Sequence, residues 1–188
     1  MNEVLQIFND ITLLTPTTGA MVAGFVACLL LFVSGFASGS EIAFFSLTPN
    51  DLYELDEERS PIDAKITMLR KDSERTLATI LIANNLVNVA IIMLYGYFFS
   101  HAIDFGDALW VKFLFMTVIL TFLLLLFGEI MPKVYASKNP LEFCRGAVMG
   151  ICFFRKMFYP IASIVISSCK LTEKVIQREN QTLSVDEL

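Results

Sequence analysis

No lysine or arginine precedes Arg59. A cleavable leader needs a basic stretch before its apolar core, so that absence argues against one, and the first apolar run is too long for such a core. Basic residues are also outnumbered overall, 14 against 19 acidic ones, for a net charge of −5. That balance gives no basic surface for nucleic acid, and no such partner is expected. Histidine occurs once, as His101, and the four cysteines (Cys28, Cys144, Cys152, Cys169) show no C-x-x-C spacing. A zinc centre or a disulfide framework is therefore not expected, and the cysteines read as small buried hydrophobes. No nucleophile stands in a pattern with a base, so an enzyme is not expected either.

What the chain has instead is apolar length. It is 55% hydrophobic and only 18% charged, with a mean hydropathy of +0.63. A soluble domain of 188 residues rarely reads this way, and a membrane protein does. Residues 20–47 hold one charge, Glu41. Residues 76–103 hold none from Asp, Glu, Lys or Arg, and 109–131 form a third run with Lys112 near one end and Glu129 near the other. Each is long enough to cross a hydrocarbon core, which takes about 20 residues. The fold class expected is thus an all-α membrane protein with three transmembrane helices plus amphipathic juxtamembrane helices. Residues 1–19, with Glu3, Asp10 and Thr15-Pro16-Thr17-Thr18-Gly19, read as an external lead-in.

Between the first two runs, residues 50–75 are densely charged, while Leu52, Leu55, Ile62, Ile66 and Leu69 recur at near-helical spacing. An amphipathic helical hairpin at the membrane surface fits. Pro49 is expected to end the first helix, with Asn50 and Asp51 capping the next. Residues 141–169, within a segment of about 140–176, are apolar but broken by Arg145, Arg155 and Lys156. They read as interfacial helices kinked near Pro160, with a re-entrant segment as the alternative. Residues 177–188 look like the start of a linker. Basic residues number five between the first two runs, one (Lys112) between the second and third, and eight after the third. That bias places the N-terminus outside and the C-terminus in the cytoplasm.

Each run carries a polar cluster that packing does not require. In the first, Ser34, Ser38 and Glu41 fall at i, i+4 and i+7, on one helical face. Gly35 and Gly39 beside them form a small-xxx-small pair that admits a neighbouring backbone. In the second, Asn84 and Asn88 share a face and Asn85 points elsewhere. Three amides so close are costly in hydrocarbon unless partnered. In the third, Gly128-Glu129 precede Pro132. Proline has no N–H, so the Gly128 carbonyl loses its usual helical donor. Hydroxyl, amide, carbonyl and carboxylate oxygens without thiolate or imidazole suit a hard cation such as magnesium, calcium or sodium. Taken singly, each feature has a plainer reading. Serines bond back to carbonyls one turn earlier, asparagines join helices, Glu129 pairs with Lys133 at i+4, and Glu41 caps or pairs with the amphipathic segment. The three clusters nevertheless share one depth in the membrane.

The stretches Ser34-Gly35-Phe36-Ala37-Ser38-Gly39-Ser40-Glu41, Ile82-Ala83-Asn84-Asn85-Leu86-Val87-Asn88 and Phe127-Gly128-Glu129-Ile130-Met131-Pro132-Lys133 resemble the transmembrane domain of the CorC/CNNM family, linked to magnesium transport. Ala83 departs from the pattern, where many relatives have glycine. The resemblance implies a homodimer with three spans and a belt of juxtamembrane helices, continuing into cytoplasmic CBS modules and a CorC-type domain. It implies Ser34, Ser38, Asn84, Gly128 (through its carbonyl) and Glu129 as metal ligands, with Asn88 and Glu41 as near neighbours. It further implies export of magnesium driven by sodium, from the plasma (inner) membrane. A dimeric membrane anchor without transport, or an ion sensor, is the rival reading.

Overall fold

The computed structural model describes residues 12–106 and 108–168. The first eleven residues of the expected lead-in, and the segment from Cys169 through the expected linker, lie outside the described residues. The chain is built almost entirely of helices. Three of them are long and apolar enough to cross a membrane: Thr18–Phe45, Ser73–Ala102 and Leu109–Lys138. This is an all-α, multi-pass membrane protein.

The first span, α1 (Thr18–Phe45), begins at Thr17, whose side chain accepts a hydrogen bond from the Ala20 amide at 3.3 Å. Its buried face is small: Ala20, Ala23, Gly24 and Ala27 line its N-terminal half. Small side chains let the neighbouring backbone come close, which supplies packing where lipid offers no hydrophobic gain. A Cβ at Gly24 would stand 2.8 Å from the Phe98 ring. Large apolar groups such as Phe25 and Phe32 point outward, as a lipid-facing surface requires.

Two short juxtamembrane helices follow, α2 (Pro49–Tyr53) and α3 (Pro61–Lys71). The cap of α2 is Thr48, not Asn50 or Asp51. The Thr48 hydroxyl accepts from the Asp51 amide, the Asp51 carboxylate accepts from the Thr48 amide at 2.7 Å, and Pro49 occupies the first helical position. Pro49 thus starts a helix as well as ending one, because its missing N–H is spare at that position. The second span is α4 (Ser73–Ala102). A two-residue antiparallel ladder, β1 (Thr12–Leu13) with β2 (Ile103–Asp104), ties the lead-in to its far end. No periodicity in such short segments announced it.

The third span starts as α5 (Leu109–Leu123), widens into a π turn over Leu124–Ile130, and continues as α6 (Met131–Lys138). After it come α7 (Pro140–Met157) and α8 (Tyr159–Ser168), bent by 77°. The bend lies at Phe158, two residues before Pro160, whose ring cannot continue the preceding helix. The pair is a broken span or a re-entrant loop by length and composition. On α7, Leu141, Cys144, Ala147, Val148 and Ile151 are buried at helical spacing.

α1 is the central element, packing against α4, the π turn, α6 and α7. The main core gathers at its C-terminal end, where Phe44, Ile66, Leu69, Ile80, Ala136 and Val148 bring five helices together. A smaller cluster around Ala27, Ile91 and Tyr95 joins α1 to α4 nearer the N-terminal end of α1. Two of the three basic residues that interrupt α7 have partners that hold it to the charged segment. Arg145 forks onto Asp63 at 3.0 and 3.1 Å, and Arg155 reaches Asp72 at 2.5 Å. The juxtamembrane helix α3 is thereby clamped to α7. Of the cysteines, Cys144 is buried as expected. Cys28 is exposed, with its thiol 3.2 Å from the Tyr95 hydroxyl.

Candidate cation site

The centre of the polar clusters is Ser34, which is completely buried. Its hydroxyl lies 3.0 Å from Asn84 Oδ1 and 2.6 Å from Asn88 Oδ1. It does not bond back along its own helix; that habit appears at Ser40, whose hydroxyl donates to the Phe36 carbonyl at 2.7 Å. A hydroxyl has one hydrogen, so it can donate to only one of the two amide oxygens at a time. Three oxygens therefore meet with a single proton between them. Either one amide turns its NH2 inward, or a cation among the oxygens offsets their repulsion.

The third span completes this junction. A Cβ on Gly128 would lie 3.1 Å from Ser34 Oγ. The bare Gly128 backbone thus passes directly over the serine. Gly35 makes the matching approach from α1: a Cβ there would come within 2.9 Å of the Pro132 ring and 3.0 Å of the Phe127 carbonyl oxygen. Gly39 meets no backbone. The Phe143 ring of α7 fills its space, at 2.7 Å from a built Cβ. The small-xxx-small pair therefore serves two different neighbours.

Pro132 does not break the third span. The helix widens instead, and the Met131 amide bonds the Leu126 carbonyl five residues back. A wider turn accommodates a proline that can neither donate nor tolerate the carbonyl four residues before it. Proline at this place was legible; the π register was not, because both outcomes follow from the same missing N–H.

The family-model description "Cyclin M transmembrane N-terminal domain", under the name CNNM, matches residues 25–188. The chain belongs to the CNNM family. The transmembrane domain of CNNM proteins is what its three spans form. Curated relatives agree. A protein named metal transporter cnnm-4, from Caenorhabditis elegans, is 29% identical over 171 residues, covering 85% of this chain and 35% of its own length. A chloroplastic DUF21 domain-containing protein of Arabidopsis thaliana is 32% identical over 142 residues, covering 76% of this chain and 21% of its own. A UPF0053 protein of Haemophilus influenzae is 29% identical over 175 residues, 87% of this chain and 38% of its own. The chain thus spans well under half the length of these relatives.

The remaining residues singled out in this CNNM domain lie around the junction. Ser38, one turn along α1 from Ser34, is completely buried, and its hydroxyl has no partner among the described residues. Asn84 is buried and Asn88 half-buried, while Asn85, close to Asn88 around α4, is exposed. Glu129 is half-buried next to Gly128. Its expected i+4 partner is engaged elsewhere: Lys133 pairs with Glu41 at 3.3 Å, joining α6 to α1. Sequence spacing sees only neighbours on one helix, so it missed this pair between helices. Among the described residues no group of three His, Cys, Asp or Glu side chains is placed to hold a metal. A cation here would be held mainly by neutral oxygens, which bind weakly enough to release it.

Proposed function

We propose that this CNNM domain carries a hard divalent cation, magnesium, across the membrane. Ser34, Ser38, Asn84, the Gly128 carbonyl and Glu129 replace waters of the ion, with Asn88 and Glu41 adjacent. The observation that carries the reading is the meeting of Ser34 Oγ, Asn84 Oδ1 and Asn88 Oδ1 around one hydroxyl proton, beneath the bare Gly128 backbone. Magnesium demands a small octahedral shell at about 2.0–2.1 Å and gives up water reluctantly, so a tight cage of mainly neutral oxygens with one carboxylate favours it over calcium or sodium only where the helices are firmly held. The glycine contacts at Gly35 and Gly128 supply that firmness.

The proposal extends to export, coupled to sodium entry, by a homodimer in the plasma (inner) membrane, with the N-terminus outside and the C-terminus in the cytoplasm. The family resemblance supports the coupling, the basic-residue bias supports the orientation, and the exposed amide of Asn85 supports a partner subunit. No chemical step is assigned.

A second reading treats Ser34 and the asparagines as helix glue in a membrane anchor, and their direct contacts favour it to that extent. Magnesium flux in liposomes separates the two. Asn84→Ala and Glu129→Ala are expected to cut flux at least tenfold while melting and oligomer size stay close to the parent. Undiminished flux in folded variants refutes the transport site, and loss of assembly without an ion-specific effect favours the anchor.

A further inference from the structure

The ion pair between Glu41 and Lys133 has a place in the fold that the proposed site does not use. Ser34, Ser38 and Glu41 follow one another along a single face of α1, from the oxygen junction toward the helix C-terminus. The same face meets the third span. Gly35 packs on Pro132 and the Phe127 carbonyl, and Glu41 pairs with Lys133 two turns later. Ser38 lies between those two contacts. Its hydroxyl is fully buried and unpartnered among the described residues. An unsatisfied hydroxyl in such a seam is costly unless something visits it. The charged pair toward the C-terminal end of α1 is partly exposed, with side-chain exposures of 35% for Lys133 and 22% for Glu41. Lysine is a compact charge on a flexible stem, with donors only and no lone pair for a metal. It can hold a carboxylate and swing away, but it cannot share a cation's shell.

We propose that Lys133 is a tethered cation competing for Glu41, which with Ser38 forms the entry step to the Ser34–Asn84–Asn88 junction; this rests on the transport reading above. An arriving divalent ion displaces the single ammonium charge from Glu41, meets Ser38 as the first ligand of the site, and completes its shell at the junction. A monovalent ion displaces it poorly. Lys133 therefore sets which cations enter and at what concentration.

The test measures magnesium flux in liposomes for the full chain, with magnesium binding by titration in detergent as a second readout. Lys133→Gln removes the competitor, and the half-saturating magnesium concentration is expected to fall about two- to five-fold, the range a partly exposed ion pair commands. Sodium should inhibit that variant more strongly than the parent. Glu41→Gln should raise the half-saturating concentration, and the double variant should behave as Glu41→Gln alone, since no carboxylate remains to contest. A pair that merely braces two helices predicts the opposite for Lys133→Gln: half-saturation unchanged or raised, as in Glu41→Gln, with a lowered melting temperature. Either result overturns the proposal. If Asn84→Ala abolishes flux while Lys133→Gln fails these expectations, the entry step falls and the transport site stands. If Asn84→Ala leaves flux intact, the transport reading itself falls, and the entry step with it.

Discussion

Two glycines, Gly35 and Gly128, make the junction possible, and they fail differently when filled. A Cβ on Gly35 meets a proline ring at 2.9 Å and a backbone carbonyl at 3.0 Å, neither of which can rotate away. Gly35→Ala should therefore push α1 off the third span and cost about 1–3 kcal/mol, the usual range for overpacking. A Cβ on Gly128 meets the Ser34 hydroxyl at 3.1 Å. That atom can retreat by a few tenths of an ångström, but only by disturbing its contacts with Asn84 and Asn88. Gly128→Ala is expected to melt within a few degrees of the parent while binding magnesium at least fivefold more weakly. Melting in detergent and magnesium titration read the two effects separately; a Gly128→Ala variant with unchanged binding would show that Ser34 is not a ligand. The residue types were visible in the sequence, as hydroxyls and amides stranded in charge-free runs. The double contact of Ser34 was not. Helical spacing places Asn84 and Asn88 on one face, but the rotation of α4 against α1 is set by tertiary packing at Gly24–Phe98 and Cys28–Tyr95.

Elements were legible wherever a run lacked charge, and they were misread wherever one residue could serve two structures. The three spans follow from composition alone, because hydrocarbon admits few other solutions. Pro49, read as a stop, also starts α2, and Pro132, read as a break, sits at the end of a π turn. The apolar stretches of α7 read as interfacial helices because Arg145, Arg155 and Lys156 interrupt them. Two of those cations turn out to hold α7 to the charged hairpin rather than to face open water.

That clamp has a pH dependence of calculable sign. The Arg145 fork beside Asp63, aided by the Asp56 backbone amide and the Ser60 hydroxyl, holds the Asp63 carboxyl below its ordinary value, against the opposing effect of burial. A lowered folded-state pKa gives stability that is fully present above the unfolded value, near 3.8, and lost as pH falls through the lower folded one. Arg145→Ala leaves Asp63 buried without its cation, so burial is opposed only by the Asp56 amide and the Ser60 hydroxyl and the carboxyl pKa rises relative to the parent. Near neutrality the variant should lose about 1–3 kcal/mol, below the 3–5 of a fully enclosed pair because Arg145 is partly exposed. The loss should shrink as acid neutralises Asp63. Thermal melts from pH 7 to pH 4 check this, and a deficit that stays constant or widens toward acid contradicts the assignment.

For the whole molecule, the informative feature is how little of the third span one chain covers. No residue of α5 is buried, and only 6% of the span's most apolar window is enclosed. Lipid can cover such a face, since leucine and acyl chains are equally apolar. It cannot satisfy Asn85, whose amide lies exposed on α4 among Leu81, Leu86, Val89 and Ile92. A polar group at that depth finds protein or water. In the proposed homodimer the amide meets the partner across the interface. Hydrogen bonds between membrane helices average about 0.6 kcal/mol, so Asn85→Leu should weaken dimerisation only about threefold, read as a shift in the monomer–dimer balance by energy transfer between labelled chains in vesicles. Magnesium binding per chain should persist, because the contacts to Ser34 come from Asn84 and Asn88 and not from Asn85. A dimer left unchanged by Asn85→Leu would move the interface to another face, and one strengthened by it would show that the amide opposes association and is satisfied by water at the membrane surface instead.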